Sequence, residues 1–320
     1  MPAPERGSTL TRVPGVKVGH SESSDGATGV TAVLFDAGAP TVVDVRGGAS
    51  GTYDTASLAL DATFGRRWAL FLAGGSLYGL DAARGVRRRI LETGGGVPAF
   101  QRAARIVPIS GAILFDLPSD ERRIPDYDPI GYRAASNASR AAVRPGRVGA
   151  GAGATLGKYL GRSHASPGGI GSAATKVGSL GWVGALVVLN SVGAVRDPET
   201  GTWISGARGE DGAILPPSDG GLPDRPTKER GTTLIVIATD APVGRPVLQR
   251  VAIYAHDGLA RAIVPAHTAT DGDLVFVSAT REATPPRQER FPGESADRLG
   301  AAASAMVVRA ALGAARAARR

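Results

Sequence analysis

An α+β fold, with strands stacked in two sheets and helices outside them, is what this sequence predicts, and three observations predict it. Short apolar runs rich in Val, Ile and Leu recur along the chain at strand length. Longer stretches between some of them carry apolar residues at helical spacing. The two kinds neither alternate strictly nor separate into blocks, and no internal repeat is visible.

Residues 29–35 (GVTAVLF) and 41–45 read as strands, with Gly38-Ala39-Pro40 marking a turn between them. Residues 68–72 (WALFL) form a third, followed by a Gly-Gly-Ser turn. From 76 to 93, Leu77, Leu80, Ala83, Val86 and Ile90 share one helical face, and the glycines at 94–96 stop that helix. A strand at 111–116 (GAILFD) precedes a helix at 128–142 that starts beside Pro129. Residues 183–189 (VGALVVL) read as a strand ending at Asn190-Ser191. Residues 197–230 are polar, Pro/Gly-rich and aperiodic, and a stretch of that length in a compact protein is usually functional or disordered. It stops at Gly231-Thr232, where the strand 233–239 (TLIVIAT) begins. A helix over 247–263, a strand over 273–278 and a long Ala-rich helix over 294–319 complete the series. We expect one structural unit, residues 1–320.

Composition narrows the chemistry. With 42% apolar residues but only 5% aromatics, the core must be built from Ala, Val, Leu and Ile. The absence of cysteine removes disulfides, thiol nucleophiles and cysteine–metal sites together. No run reaches the ~18 uninterrupted apolar residues of a spanning helix, and MPAPERGSTLTRVPG lacks the apolar region of a secretory signal. A soluble cytoplasmic protein without membrane attachment is the expectation. The net charge of +8 clusters in part at Arg87, Arg88 and Arg89 and at Arg309, Arg316, Arg319 and Arg320. No interleaved aromatics or nucleic-acid module accompany it, so it reads as a solvated Arg-rich surface and no nucleic-acid partner is expected.

Standard catalytic motifs fail. The loop ending at Gly157-Lys158 lacks the first glycine of a phosphate-binding loop (Ala152 stands there) and has Tyr159 where Ser or Thr is required. His20, His164, His256 and His267 show no metal-ligand spacing, and each reads as structural. There is no Gly-x-Ser-x-Gly elbow. What remains is a threonine after a glycine. A threonine hydroxyl needs an adjacent base. When the threonine is N-terminal its own α-amine serves, because that amine has a pKa near ~7.7–8.0. Gly231 would permit the backbone geometry for a hydroxyl to attack the preceding carbonyl, although Gly-Thr before a strand is a common sequence.

Several separated motifs together decide more. VGH at 18–20, DGATGVTAVLF at 25–35, VDVRGGASGTYDT at 43–55 and AGGSLYGLDAARGV at 73–86 resemble the N-terminal half of the DmpA-like, P1-type peptidases. That family includes L-aminopeptidase/D-esterases, β-aminopeptidases and nylon-oligomer endo-hydrolases. VGAGAGATLGK at 148–158, GGIGSA at 168–173, GALVVLNSVG at 184–193, GTTLIVIATDAP at 231–242, and AHDGLARAI and HTATDGDLVF within 255–276 continue the resemblance in order over roughly residues 10–280.

The resemblance implies a four-layer αββα sandwich of the N-terminal-nucleophile type, no metal or organic cofactor, and an oligomer, commonly a tetramer of processed protomers. It implies self-cleavage at Gly231–Thr232 into chains 1–231 and 232–320, with Thr232 as the nucleophile and Thr233 as its competitor. Lys158 matches the family's lysine near the nucleophile, and Asn190 its oxyanion-binding asparagine. Asp271 and Asp273 match a DGD pair beside the threonine, which would orient its hydroxyl and amine. Read without the resemblance, Lys158 is an exposed lysine after a turn, Asn190 a strand-ending turn residue, and the two aspartates a tight Asp-Gly turn. Phe115 departs from the family, where many relatives carry a tyrosine in this strand that can bind substrate or oxyanion. The implied activity is hydrolysis of a small amide, peptide or ester substrate. The alternatives are an ornithine acetyltransferase-like acyl transferase and an uncleaved basic binding protein.

Overall fold

The computed structural model describes residues 8–99, 104–117, 124–217, 228–282 and 293–319. Nine strands carry the frame: β1 (Val16–Glu22), β2 (Gly29–Val45), β3 (Gly51–Tyr53), β4 (Arg66–Ala73), β5 (Ile109–Ile113), β6 (Gly169–Lys176), β7 (Trp182–Asn190), β8 (Thr232–Thr239) and β9 (Leu274–Ala279). Four α-helices join them: α1 (Ala82–Glu92), α2 (Tyr127–Ser136), α3 (Arg245–Ala262) and α4 (Glu294–Ala317).

The strands run in the order β6-β7-β8-β9-β2-β4-β5-β3, with β1 also paired to β2. β2 is long enough to serve two sheets. Its first half pairs with β1 and β4, and its second half, residues 41–45, pairs with β9. The register shifts between Leu34 and Ala39. Here the structure corrects the sequence reading, which put a turn at Gly38-Ala39-Pro40. Gly38 has φ +70°, and a Cβ there would lie 3.0 Å from the Trp68 ring. The glycine bends the strand from one sheet into the other without reversing it.

Alternation along the strands sorts residues into layers. Leu186, Val188, Leu234, Val236, Leu274 and Phe276 meet Val33, Leu70 and Leu72 between the two sheets. Val187, Leu189, Ile235, Ile237, Val275 and Val277 face α3 and α4. On the other side, Ala69, Phe71 and Ile109 lie under α1 and α2. The four layers are therefore α1/α2, sheet, sheet, α3/α4, as the fold class anticipated. Two parallel pairs, β4–β5 and β8–β9, are each bridged by a crossover containing one helix, α1 and α3.

Small residues explain how a chain with few aromatics closes its core. A Cβ at Gly171 of β6 would stand 2.0 Å from the Ala310 carbonyl of α4, and one at Gly258 of α3 would stand 2.4 Å from the Ser304 carbonyl. Helix backbones rest directly on sheet and neighbouring-helix backbones. We expect Gly171→Val to lower stability by about 1–3 kcal/mol or more, because the obstacle is main chain and cannot swing aside; a denaturant midpoint measures it. α4 is long and apolar enough by composition to cross a bilayer, yet 72% of its most apolar stretch is buried in the protein, which makes it a core helix.

Several local boundaries differ from the sequence reading, and the strand read at 111–116 runs instead over Ile109–Ile113. Residues 76–81 form a 3₁₀ segment before α1 begins at Ala82. α2 ends at Ser136, because the chain must return for Ser139 to bridge Val18. In the aperiodic stretch, Trp203–Ser205 joins Ala194–Arg196 and Ile263–Val264 in a small sheet, while residues 218–227 lie outside the described residues.

Candidate active site

Thr232 opens β8, one register step inside the sheet, and its Cα partner across the antiparallel ladder is Asn190 at the end of β7. On the other side Gly231 bridges Asp271, just before β9. Lys158 follows Gly157, whose φ of +72° turns the chain, and its amide donates to the Val192 carbonyl at 2.8 Å. The five residues singled out by sequence, Thr232, Asn190, Lys158, Asp271 and Asp273, thus come together from segments far apart in the chain. Each is at most 3% exposed. Lys158 is no exposed turn lysine.

Alternation separates the two threonines. Thr232 shares the inter-sheet face with Leu234 and Asn190, while Thr233 shares the helix-side face with Ile235. The Thr232 hydroxyl donates to the Gly231 carbonyl in a short contact, and the Gly272 N–H donates to that same carbonyl at 3.0 Å. The carbonyl before Thr232 is therefore both approached by the hydroxyl and polarised by a backbone donor.

Lys158 Nζ donates to the Asn190 carbonyl at 2.9 Å, to Asn190 Oδ1 at 3.0 Å and to the Arg230 carbonyl at 2.8 Å. Burial lowers its pKa to about 7, against opposing pulls from Asp271 and Glu229. A buried amine that is partly neutral at pH 7 can take up a proton. Asn190 Oδ1 also accepts from the Thr155 amide at 2.9 Å, so the side-chain amide is fixed with Nδ2 toward the Phe115 carbonyl, 3.3 Å away. Phe115 meets the site through that carbonyl, which any residue would supply, and the Arg230 guanidinium lies 5.7 Å from its ring centre.

The aspartates hold backbone. Asp271 Oδ1 accepts from the Val192 amide at 3.1 Å, and its Oδ2 accepts from the Thr268 amide and hydroxyl at 3.1 and 2.6 Å. Asp273 Oδ1 accepts from the Thr233 amide at 2.5 Å. In the continuous chain the hydrogen bond from the Thr232 hydroxyl goes to the Gly231 carbonyl, beside these carboxylates. Burial, and after it the negative charge of Asp273, push the Asp271 pKa up to about 6.

Two members of the neighbourhood escaped the sequence reading. Asp116 lies three residues beyond the end of β5 and is deeply buried, with its pKa pushed up to about 6 chiefly by burial. Its carboxylate accepts from the Gly75 amide at 2.5 Å and from the Thr28 hydroxyl at 2.8 Å. A lone acid closing an apolar run was its only signal. His267, read as structural, donates from Nδ1 to Asp273 Oδ2 at 2.9 Å. Among the described residues no group of three or more His, Cys, Asp or Glu side chains is placed to hold a metal ion.

Gly231 is required sterically. A Cβ there would fall 2.1 Å from Asp271 Oδ1 and 2.4 Å from the Val192 amide. We expect Gly231→Ala to displace the carbonyl from the hydroxyl and slow any cleavage at this bond about 10²-fold, read by intact mass against time.

Comparison with known proteins shows the family and the fold. The family model of peptidase family S58 matches residues 8–320. An uncharacterized aminopeptidase of Mycobacterium tuberculosis is 38% identical, over 95% of this chain and 92% of its own length. A 6-aminohexanoate-oligomer endohydrolase of Paenarthrobacter ureafaciens is 32% identical, over 92% and 80%. Among solved structures, the L-aminopeptidase D-Ala-esterase/amidase of Ochrobactrum anthropi, described as a variant of the Ntn hydrolase fold, superposes with a TM-score of 0.72 at 19% identity, over 98% of this chain and 87% of that one. A Burkholderia sp. β-aminopeptidase gives 0.71 at 22% identity, over 98% and 88%. With residues 8–320 inside the family model and the αββα layers of these Ntn hydrolases, the chain belongs to peptidase family S58 and is an amide-bond hydrolase.

Proposed function

We propose that the chain cuts its own Gly231–Thr232 bond and then hydrolyses small amides with the freed Thr232. The observation that carries this reading is the contact of the Thr232 hydroxyl with the Gly231 carbonyl, beside a buried lysine. In the first reaction Oγ1 attacks the Gly231 carbonyl carbon, and its proton passes by way of a base to the departing Thr232 nitrogen. The C–N bond breaks and an ester joins Gly231 to Oγ1. Water then splits the ester, leaving a Gly231 carboxylate and a Thr232 that carries both a free amine and a free hydroxyl. Neutral Lys158 suits the role of base, and Gly272 N–H that of oxyanion donor.

In the second reaction Oγ1 attacks a substrate amide. The α-amine accepts the hydroxyl proton and delivers it to the leaving amine, and water releases the acyl group. Asn190 Nδ2 would turn from the Phe115 carbonyl to the substrate oxyanion, while Asp271 and Asp273 would hold the new terminus. Relatives named as aminopeptidase and as 6-aminohexanoate-oligomer endohydrolase define the first panel: aminoacyl amides, β-peptides and 6-aminohexanoate oligomers. We place the processed enzyme in the cytoplasm as a homo-oligomer, a tetramer by family likeness.

Denaturing electrophoresis with intact mass on freshly purified protein tests the reading. Fragments 1–231 and 232–320 support it, and a chain that stays whole through prolonged incubation opposes it. Release of acyl groups into water and not onto ornithine separates hydrolysis from acyl transfer.

A further inference from the structure

Self-cleavage creates a mechanical problem at the start of β8. While the chain is continuous, Thr232 is held from both sides. Once the bond breaks, residue 232 is a chain end, and the first peptide N–H behind it belongs to Thr233. That N–H is bound by Asp273 Oδ1 at 2.5 Å. The other carboxylate oxygen is bound twice by one residue, from the His267 amide at 3.0 Å and from His267 Nδ1 at 2.9 Å. A carboxylate gripped at both oxygens cannot rotate, so it fixes the amide it holds.

His267 is arranged for this grip. Its backbone sits at φ +57°, a conformation that non-glycine residues adopt at a cost of about 1 kcal/mol or more and keep only where the surroundings hold them in it. Its ring packs edge-on against His256, centre to centre 4.8 Å. His256 in turn has its Nε2 3.1 Å from the Asp44 carbonyl on β2. Because a carboxylate and a carbonyl only accept, His267 carries its proton on Nδ1 and His256 on Nε2. Burial lowers the His256 pKa to about 4, so the ring behind His267 stays uncharged and does not repel it. The line β2–His256–His267–Asp273–Thr233 thus ties the cleavage point to the strand shared by both sheets.

Resting on the reading of Thr232 as the nucleophile, we propose that His267 is a positioning residue, which clamps Asp273 so that the Thr233 amide, and with it the new N-terminus, stays in place after cleavage. The clamp acts on geometry in the reaction and makes no contact with substrate.

The test compares variants that all suit a positive φ. His267→Gly removes the ring donor without backbone strain, His267→Asn keeps a side-chain donor, and His267→Asp matches asparagine in shape but cannot donate when ionised. Each is taken as processed enzyme, and kcat and KM are measured on one amide substrate. We expect kcat to fall about 10- to 100-fold in the glycine and aspartate variants with KM within about twofold, and to recover to within about threefold in the asparagine variant. Added imidazole should restore part of kcat in His267→Gly, since the His267 side chain is 23% exposed and its place can be reached. If the glycine variant does not fold, the asparagine–aspartate pair carries the comparison. Equal kcat in asparagine and aspartate variants, or a loss that falls on KM, overturns the clamp while leaving Thr232 untouched. A wild-type chain that never cleaves removes the terminus to be positioned and overturns both.

Discussion

Thr232→Ala should leave a single uncut chain, and its amide-hydrolase rate should fall by about 10⁴-fold or more. The methyl group that replaces the hydroxyl cannot attack, and with residue 232 still inside a peptide bond there is no α-amine to act as base. Both reactions are lost through one atom. The fold should survive, because the Thr232 hydroxyl is bonded only to its own neighbour's carbonyl and the strand partners of residue 232 are backbone. Thr232→Ser should still cut, since it keeps the hydroxyl. Intact mass after prolonged incubation reads the first effect, and steady-state hydrolysis of an aminoacyl amide the second. An alanine variant that yields the 232–320 fragment would assign the nucleophile elsewhere, with Thr233 the first candidate.

Lys158→Met should have the next largest effect, slowing self-cleavage about 10²- to 10⁴-fold, the range of a lost general base. It also strips the donor from three acceptors, the Asn190 carbonyl, Asn190 Oδ1 and the Arg230 carbonyl. The pH dependence separates the two losses. With the lysine lowered to about 7, its neutral form grows as pH rises through that value, so wild-type cleavage should speed up from pH 6 to 8 and then level. Lys158→Met should be slow and lack that limb. The stability sign follows from the same shift. Below about pH 7 the folded protein carries a buried charge and the cost is complete. From there toward the ordinary lysine value of 10.5 the folded state has given up a proton that the unfolded chain keeps, so stability from this group rises with pH.

Much of this was legible in the residues. β7 and β8 announce themselves as apolar β-branched runs because both their faces are buried, one between the sheets and one under helices. Nothing in the sequence marks β1 and β6. VKVGHSE and GIGSAATK are short of large apolar residues, because Gly19 and Gly171 sit where helix backbones touch the sheet. Glycine and proline signal a bend and a turn alike, and only Trp68 against Gly38 distinguishes them in β2. The site emerged through ordered resemblance. Its spacing along the chain is uninformative, with Lys158, Asn190, Thr232 and Asp271 meeting only once strands pair. Nothing in the sequence singles out His267, because a histidine in a loop carries no periodicity. Its meaning lies in the distance to Asp273.

The placement of β8 and β9 has a consequence for the proposed cut. Both strands would belong to the C-terminal product of the proposed cut, yet they lie between β7 and β2, which would belong to the N-terminal one. Neither product is a module that could leave with its own core. The proposed nick would convert a one-chain protein into an obligate heterodimer whose dissociation and unfolding are the same event. Its apparent melting temperature should then rise with protein concentration more steeply than that of uncut Thr232→Ala.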